Sequence, residues 1–413
     1  MRPDTLFPSR TVAMLGYGEA LKLVLERAVP LAPRRVPLME ALGLAAAEDI
    51  LAREPVPPFT NSAMDGFALR AADAGPGRLP VAGTVPAGMA EVPALGPGEA
   101  LRIMTGAPVP AGADVILPLE HVRVEGDWVI LPEAPRRGAN IRLQGEDIPA
   151  GGRVVPAGAV LRPAEVGVLA AIGCPEVPVR PRPRVAVITT GNELVDAGDR
   201  PGPGQIRDAN IHSLCAQVLA AGGVPLPRPR VEDRRETVAR ALLGALGEAD
   251  VVLTNGGISV GDFDYIKAVL EDNGAERVFW KVAQKPGSPL GLWVLGGKLI
   301  FGIPGNPVAA MLMFEEYVRP AVRRMMGYRN LHRPARAGVL EEGWTRSGDA
   351  RRTEFLRVVA GPGGRVALAG PQGSGILSGM MRANALAVIP EGPMALEAGA
   401  EVLLHLLDEA EDH

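Results

Sequence analysis

Cysteine is almost missing from this 413-residue chain: Cys174 and Cys215 are its only two, far apart in apolar surroundings. That excludes a disulfide framework and suits a reducing cytoplasm, where the protein is expected. The five histidines are scattered, which excludes a Cys/His zinc site, so a metal held here would be bound through oxygen. Aromatic residues are 4% of the chain, with four tryptophans, leaving little for base-stacking platforms. A formal net charge of −4 adds to the case against nucleic acid or an anionic membrane as partner. No apolar run approaches the roughly 18 residues of a membrane span. The opening segment MRPDTLFPSR, polar and proline-broken, is unlike a signal peptide. Lysine is scarce too: Lys22, Lys267, Lys281, Lys285 and Lys298 complete the set. Arginine is therefore the default cation, and two lysines four apart stand out.

Against these shortages, 47% hydrophobic and 22% charged residues support packed cores, and the length suits about three domains. The most informative stretch is Asp250–Lys267. Val251, Val252 and Leu253 read as a buried strand. Asn255, Gly256, Gly257, Ser259 and Gly261 follow, then Asp262 and Asp264, and an amphipathic pattern resumes at Tyr265, Ile266, Val269 and Leu270. Strand, glycine-rich turn and helix in that order suit a phosphate, because glycines admit a ligand to the backbone and a helix start presents free N–H groups. Carboxylates in the same turn suit a hard cation such as magnesium. An ordinary βα turn capped by Ser259 or Asp262 accounts for the same residues equally well. The spacing fits neither a Walker A loop nor G-x-G-x-x-G.

Along the chain, residues 11–51 read as two helices, the first over Gly18–Ala28 and the second starting at Pro37 with Leu38, Ala41, Leu42 and Leu44. Residues 79–160 alternate short β-rich runs with Pro/Gly turns, as in a small all-β domain, and a helix is expected from Pro163 to Ile172. Pro175, Pro178, Pro181 and Pro183 mark a stiff linker. Beyond it strands and helices alternate, including a long helix from Val308 to Met326, which predicts a doubly wound, mostly parallel sheet. Four loops fall at its expected carboxyl edge: Thr189–Leu194, the glycine-rich turn, Lys281–Gly287 and Gly302–Pro307. Their convergence is the main argument from residues alone for a ligand site. A β-patterned tail of about 80 residues closes the chain.

Seven motifs, in order, carry a family resemblance: Ser62-Ala63-Met64-Asp65-Gly66, Met104-Thr105-Gly106-Ala107-Pro108, Gly145-Glu146-Asp147, Thr190-Gly191-Asn192-Glu193-Leu194, Gly256-Gly257-Ile258-Ser259-Val260-Gly261, Lys285-Pro286-Gly287 and Pro304-Gly305-Asn306-Pro307. Through them nearly the whole chain resembles the molybdopterin molybdotransferases of the MoeA type, which look like the gephyrin E domain. The resemblance implies a multidomain α/β plus β architecture. Its parts are a helical linker domain (1–53 and 148–180), an inserted β domain (54–147), a molybdopterin-binding α/β domain (181–329) and a C-terminal β-barrel-like domain (330–413). It implies a homodimer with shared clefts, a pterin nucleotide substrate and contact with other cofactor-synthesis proteins. The implied reaction inserts molybdenum from molybdate into adenylylated molybdopterin, with Mg2+-dependent release of AMP.

Residue by residue, the resemblance assigns Glu193, Asp233 and Asp264 to magnesium, and Lys281 and Lys285 to phosphate or molybdate. Gly256, Gly257, Ser259 and Gly261 would cradle the nucleotide phosphate, with Pro304, Gly305, Asn306 and Pro307 beside it. Arg352, Ser374 and Ser378 match anion contacts; Asp65, Thr105 and Asp147 match positions facing the partner subunit's cleft. Two departures bear on the oxyanion. The family usually places lysine where this chain has Ser288, and serine where it has Ala309; both positions are expected near the anion. They leave open a divergent paralogue retuned toward another oxyanion such as tungstate. Two further alternatives are a molybdopterin adenylyltransferase and a non-catalytic pterin-binding scaffold.

Overall fold

Five consecutive buried residues, Val251–Asn255, form the strand that organises the α/β part of the molecule. The computed structural model describes residues 14–257 and 265–407. They fall into two compact units, one comprising the stretches up to Arg34 and from Arg180 onward, the other Arg35–Val179.

In the first unit, Val251–Asn255 lies between Arg184–Thr189 and Lys298–Ile303 in a six-stranded sheet. Val224–Pro227, Arg184–Thr189, Val251–Asn255 and Lys298–Ile303 run parallel. Gly291–Leu295 and Glu276–Trp280 complete the other edge as an antiparallel pair. Arg235–Glu248 and Tyr265–Asp272 cover one face, packing Val238, Leu242, Ile266 and Val269 onto Ile188, Val252 and Ile300. Each such side chain stabilises the fold by roughly 1.5–3 kcal/mol through removal of its apolar surface from water. Ala209–Ala221, Pro307–Met313 and Arg319–Met325 pack together as a separate helical layer. This is the doubly wound sheet the alternating pattern predicts.

The expected long helix is present but interrupted: Phe314–Val318 forms a wide π turn between Pro307–Met313 and Arg319–Met325. The π turn is local and turns Glu315, Glu316 and Tyr317 all into the core. The C-terminal strands close on themselves. Thr353–Ala360 pairs with Arg365–Leu368 on one side and Ala385–Ile389 on the other. Glu401–Leu406 and Ala335–Leu340 complete the ring, so the barrel has no open edge among these five strands.

The second unit contains a six-stranded sheet in the order Val115–Pro118, Gly66–Leu69, Ala100–Ile103, Gly77–Val85, Trp128–Leu131, Arg123–Glu125. Its helix Pro163–Ala171 starts on a capping box, with Arg162 N donating to Glu165 Oε2 at 2.9 Å. One expected helix is absent: Pro37 ends a strand, Arg34–Pro37, and only a single 3-10 turn, Leu38–Ala41, follows it. The Leu38 amide donates to Pro175 O at 2.9 Å, and Gly43 has φ +74°. A long-range bond and a left-handed residue thus replace the second helical turn that the apolar spacing allowed. Among the described residues no helix is long and apolar enough to cross a membrane.

Candidate functional site

Loops leaving the carboxyl ends of three parallel strands enclose a cleft of about 530 Å³. Arg184–Thr189 delivers Thr190, Gly191 and Glu193, Val251–Asn255 delivers Gly256 and Gly257, and Lys298–Ile303 delivers Pro304 to Pro307. Gly256 has φ +87°, and a Cβ there would stand 2.7 Å from Thr190 O, so only glycine lets the two loops approach this closely. Side-chain amides tie the loops together. Asn255 Nδ2 donates to Pro304 O, and Asn210 Nδ2 lies between Asn255 Oδ1 and Gly305 O, each at 2.7 Å. Asn210 sits in the first turn of Ala209–Ala221, whose cap, Asp208, accepts the Ile211 amide at 3.0 Å and the Thr189 hydroxyl. Asp208 and Asn210 line the cleft and escaped the sequence reading. The available signal was an Asp-x-Asn at a helix start within an alternating α/β stretch.

Glu193 and Asp233 face this cleft. The Asp233 carboxyl is held above the ordinary range, first by burial and then by the charge of Glu193. The Thr190 hydroxyl pulls it back in part. It does so from poor geometry, because Thr190 Oγ1 is buried without a well-formed hydrogen bond. The Glu193 carboxylate folds back toward Gly191, 2.7 Å from where a Cβ would sit. A carboxylate whose ionisation is opposed by a neighbouring carboxylate fits a divalent cation bound through oxygen. Among the described residues no group of three or more His, Cys, Asp or Glu side chains is gathered as for a metal. The third expected ligand, Asp264, lies outside the described residues, as do Ser259 and Gly261.

A second cleft, of about 660 Å³, opens between the Lys285-Pro286-Gly287 turn and the barrel, and it shares Pro289, Pro304 and Asn306 with the first. Lys285, Arg352, Glu354, Ala309 and Ser374 line it. Lys285 is laid against the barrel by sheet pairing, opposite Glu354. Its Nζ lies 3.1 Å from Glu354 Oε1 and donates to Ser347 O at 3.0 Å and Ser347 Oγ at 2.6 Å. Arg352 Nε is buried with no partner. Asn306 Nδ2 donates to Ser374 Oγ at 3.2 Å, which joins the PGNP loop to a serine of the cleft wall. Behind the turn, Gln284 Nε2 donates to Pro286 O at 3.1 Å, and the buried Tyr317 hydroxyl donates to Gln284 Oε1.

The remaining candidates lie elsewhere. Lys281 has φ +72° and donates its amide to Leu290 O at 2.9 Å; it lines neither cleft. Ser378, on the short helix Leu377–Arg382, also lines neither. In the second unit, exposed Asp65 accepts the Thr105 amide at 2.6 Å and its hydroxyl at 2.7 Å. Those two bonds, the backbone one first, draw its carboxyl below the ordinary range. Asp147 is exposed, with its amide on Val56 O. Of the two departures, Ala309 does line the second cleft. Ser288 does not: its hydroxyl turns inward to Val282 O at 3.0 Å, because the chain reverses after Gly287.

Fold and clefts together define a multidomain α/β protein that presents carboxylates at its strand ends beside a cation-lined pocket. Comparison with known proteins narrows this. Residues 15–173 match the MoeA N-terminal region (domain I and II), 186–324 a probable molybdopterin binding domain, and 338–407 the MoeA C-terminal region (domain IV). "Molybdopterin molybdenumtransferase 2" of Mycobacterium tuberculosis is 38% identical over 403 residues, covering 94% of this chain and 98% of that protein. The molybdopterin molybdenumtransferase of Nostoc sp. is 34% identical over 381 residues, covering 89% and 87%. A crystal structure of the molybdopterin biosynthesis MoeA protein from Pyrococcus horikoshii superposes with a TM-score of 0.81 at 31% identity, covering 95% of this chain and 100% of that one. The chain belongs to the MoeA family of molybdopterin molybdenumtransferases.

Proposed function

We propose that this protein inserts molybdenum from molybdate into adenylylated molybdopterin, releasing AMP. The observation that carries the reading is the shared wall of the two clefts. Pro289, Pro304 and Asn306 border both, so a nucleotide phosphate in one and a tetrahedral dianion in the other would be neighbours. The backbone at Gly256 and Gly257 is open to a phosphate. Glu193 and Asp233 would hold a magnesium ion, which when bound would offset phosphate charge that otherwise repels an incoming oxygen. Arg352 would supply the anion with a directed N–H, and Ser374, fixed through Asn306, a hydroxyl. Tyr317 and Gln284 keep the Lys285-Pro286 turn in register, so the cation end has its shape before the ligand arrives.

The test is direct. Purified protein is incubated with adenylylated molybdopterin, Mg2+ and molybdate, and AMP is followed. AMP release is expected, with an approximately 100-fold loss in Arg352→Gln, the scale of one removed transition-state donor. Pyrophosphate release from molybdopterin and Mg-ATP, with no AMP from the adenylylated substrate, would replace this reading with adenylyl transfer.

A further inference from the structure

We propose that Glu354 sets the oxyanion affinity of the second cleft by occupying Lys285, an inference that rests on the anion-binding reading above. An ammonium has three N–H groups. Two of those on Lys285 go to Ser347, and the Glu354 carboxylate stands 3.1 Å away as counter-charge. At most one N–H is left for a ligand, and it points from a charge already neutralised. The cleft thus carries an internal anion of its own, which an incoming dianion has to outcompete.

Glu354 is committed to this position from several sides. It is buried, and it sits in strand register with Lys285. Its second oxygen lies 3.5 Å from Arg346 Nη1. Arg346 does not depend on it, because its guanidinium also donates to the carbonyls of Arg352, Pro390 and Pro393 at 2.7–3.0 Å. Removing the charge of Glu354 would therefore leave Arg346 anchored while freeing Lys285. Arg352, whose Nε has no partner, is the cation of this cleft that is already available; Lys285 is the one held in reserve.

The experiment measures molybdate and tungstate binding by equilibrium dialysis in the unchanged protein and in Glu354→Gln, Lys285→Met/Glu354→Gln, Ser347→Ala and Arg352→Gln, with thermal midpoints as the check on folding. Glu354→Gln is expected to bind at least about tenfold more tightly, the scale of one close charge removed from a partly buried site. The double variant should lose that gain, because the gain is the released Lys285 charge. Ser347→Ala, which alters no charge, should gain about twofold, and it carries the test if Glu354→Gln does not fold. Affinity unchanged or weakened in the folded Glu354→Gln or Ser347→Ala protein, while Arg352→Gln abolishes binding, overturns the role of Glu354 and keeps the anion site. Affinity unaffected by Arg352→Gln and Glu354→Gln alike overturns the anion site itself.

Discussion

The two clefts differ in what their charged groups are doing before any ligand arrives. At the strand ends, Glu193 and Asp233 stand together, the Asp233 carboxyl raised by burial and then by Glu193, with Arg207 elsewhere in the cleft lining. Beside the barrel, Lys285 already has a carboxylate and a serine. Like charges left together raise the cost of ionisation, whereas opposite charges brought together lower the reward for binding a third. On the proposed reading, the first cleft would take a cation and the second would hold back an anion. Close electrostatic contacts in one protein can thus point in opposite functional directions, and counting ion pairs alone would rank the better-paired cleft as the stronger site.

The largest effect that would break the contrast lies at the acidic pair. Glu193→Gln keeps the shape and removes one charge. AMP release should fall about 100-fold. In the same variant the Asp233 carboxyl should titrate at lower pH, since burial alone would then hold it up. Carboxyl NMR reads the second effect without any substrate. An unmoved Asp233 titration would show that the two acids do not sense each other, and the contrast between the clefts would fail.

How far this arrangement could be read in advance depends on whether its cause is local. Gly256 was legible because a left-handed turn, φ +87° here, restricts residue type locally. Glu193, Asp233, Lys285 and Arg352 were singled out only through the family resemblance, Glu193 and Lys285 within its motifs. Asn210 was not, because an asparagine in a first helical turn looks like capping; its role appears only when Asn255 and Gly305 come within 2.7 Å. Glu354 lies in a run, Arg352-Thr353-Glu354-Phe355-Leu356-Arg357, that reads as strand with room for an anion contact at its end. Its meaning depends on the register that sets it opposite Lys285, and strand register is a long-range property. The π turn at Phe314–Val318 left no compositional mark at all.

A carboxylate away from both clefts sharpens the contrast by being fully partnered. Glu316 is buried and accepts the Tyr17 hydroxyl at 2.6 Å, while His405 Nδ1 lies 3.0 Å from it. Burial alone would lower the His405 pKa, but the hydrogen bond and charge of Glu316 outweigh it and the net shift is upward. A folded pKa above the unfolded value means stability that is complete below the unfolded pKa and lost as pH rises through the folded one. His405→Gln should cost about 2 kcal/mol in acidic buffer, the scale of a hydrogen bond to a charged group, with a smaller cost in alkaline buffer. Urea unfolding at two pH values checks it; a cost independent of pH would mean that His405 is neutral in the fold.

The smallest effect concerns Ala309, where the resemblance leads one to expect serine. Ala309 lines the barrel-side cleft, and its Cβ is 3.5 Å from where a Cβ on Gly287 would stand. Ala309→Ser would add a hydroxyl there, and oxyanion affinity should rise about threefold, the scale of one neutral hydrogen bond. A helical serine can instead donate to the carbonyl four residues back. That carbonyl is Gly305 O, which already accepts from Asn210 at 2.7 Å but retains a second lone pair. Dialysis against molybdate separates the two outcomes. A rise would make Ala309 and Glu354 two independent restraints on the same anion; no change would mean the new hydroxyl had turned to Gly305 and left Glu354 as the restraint that matters.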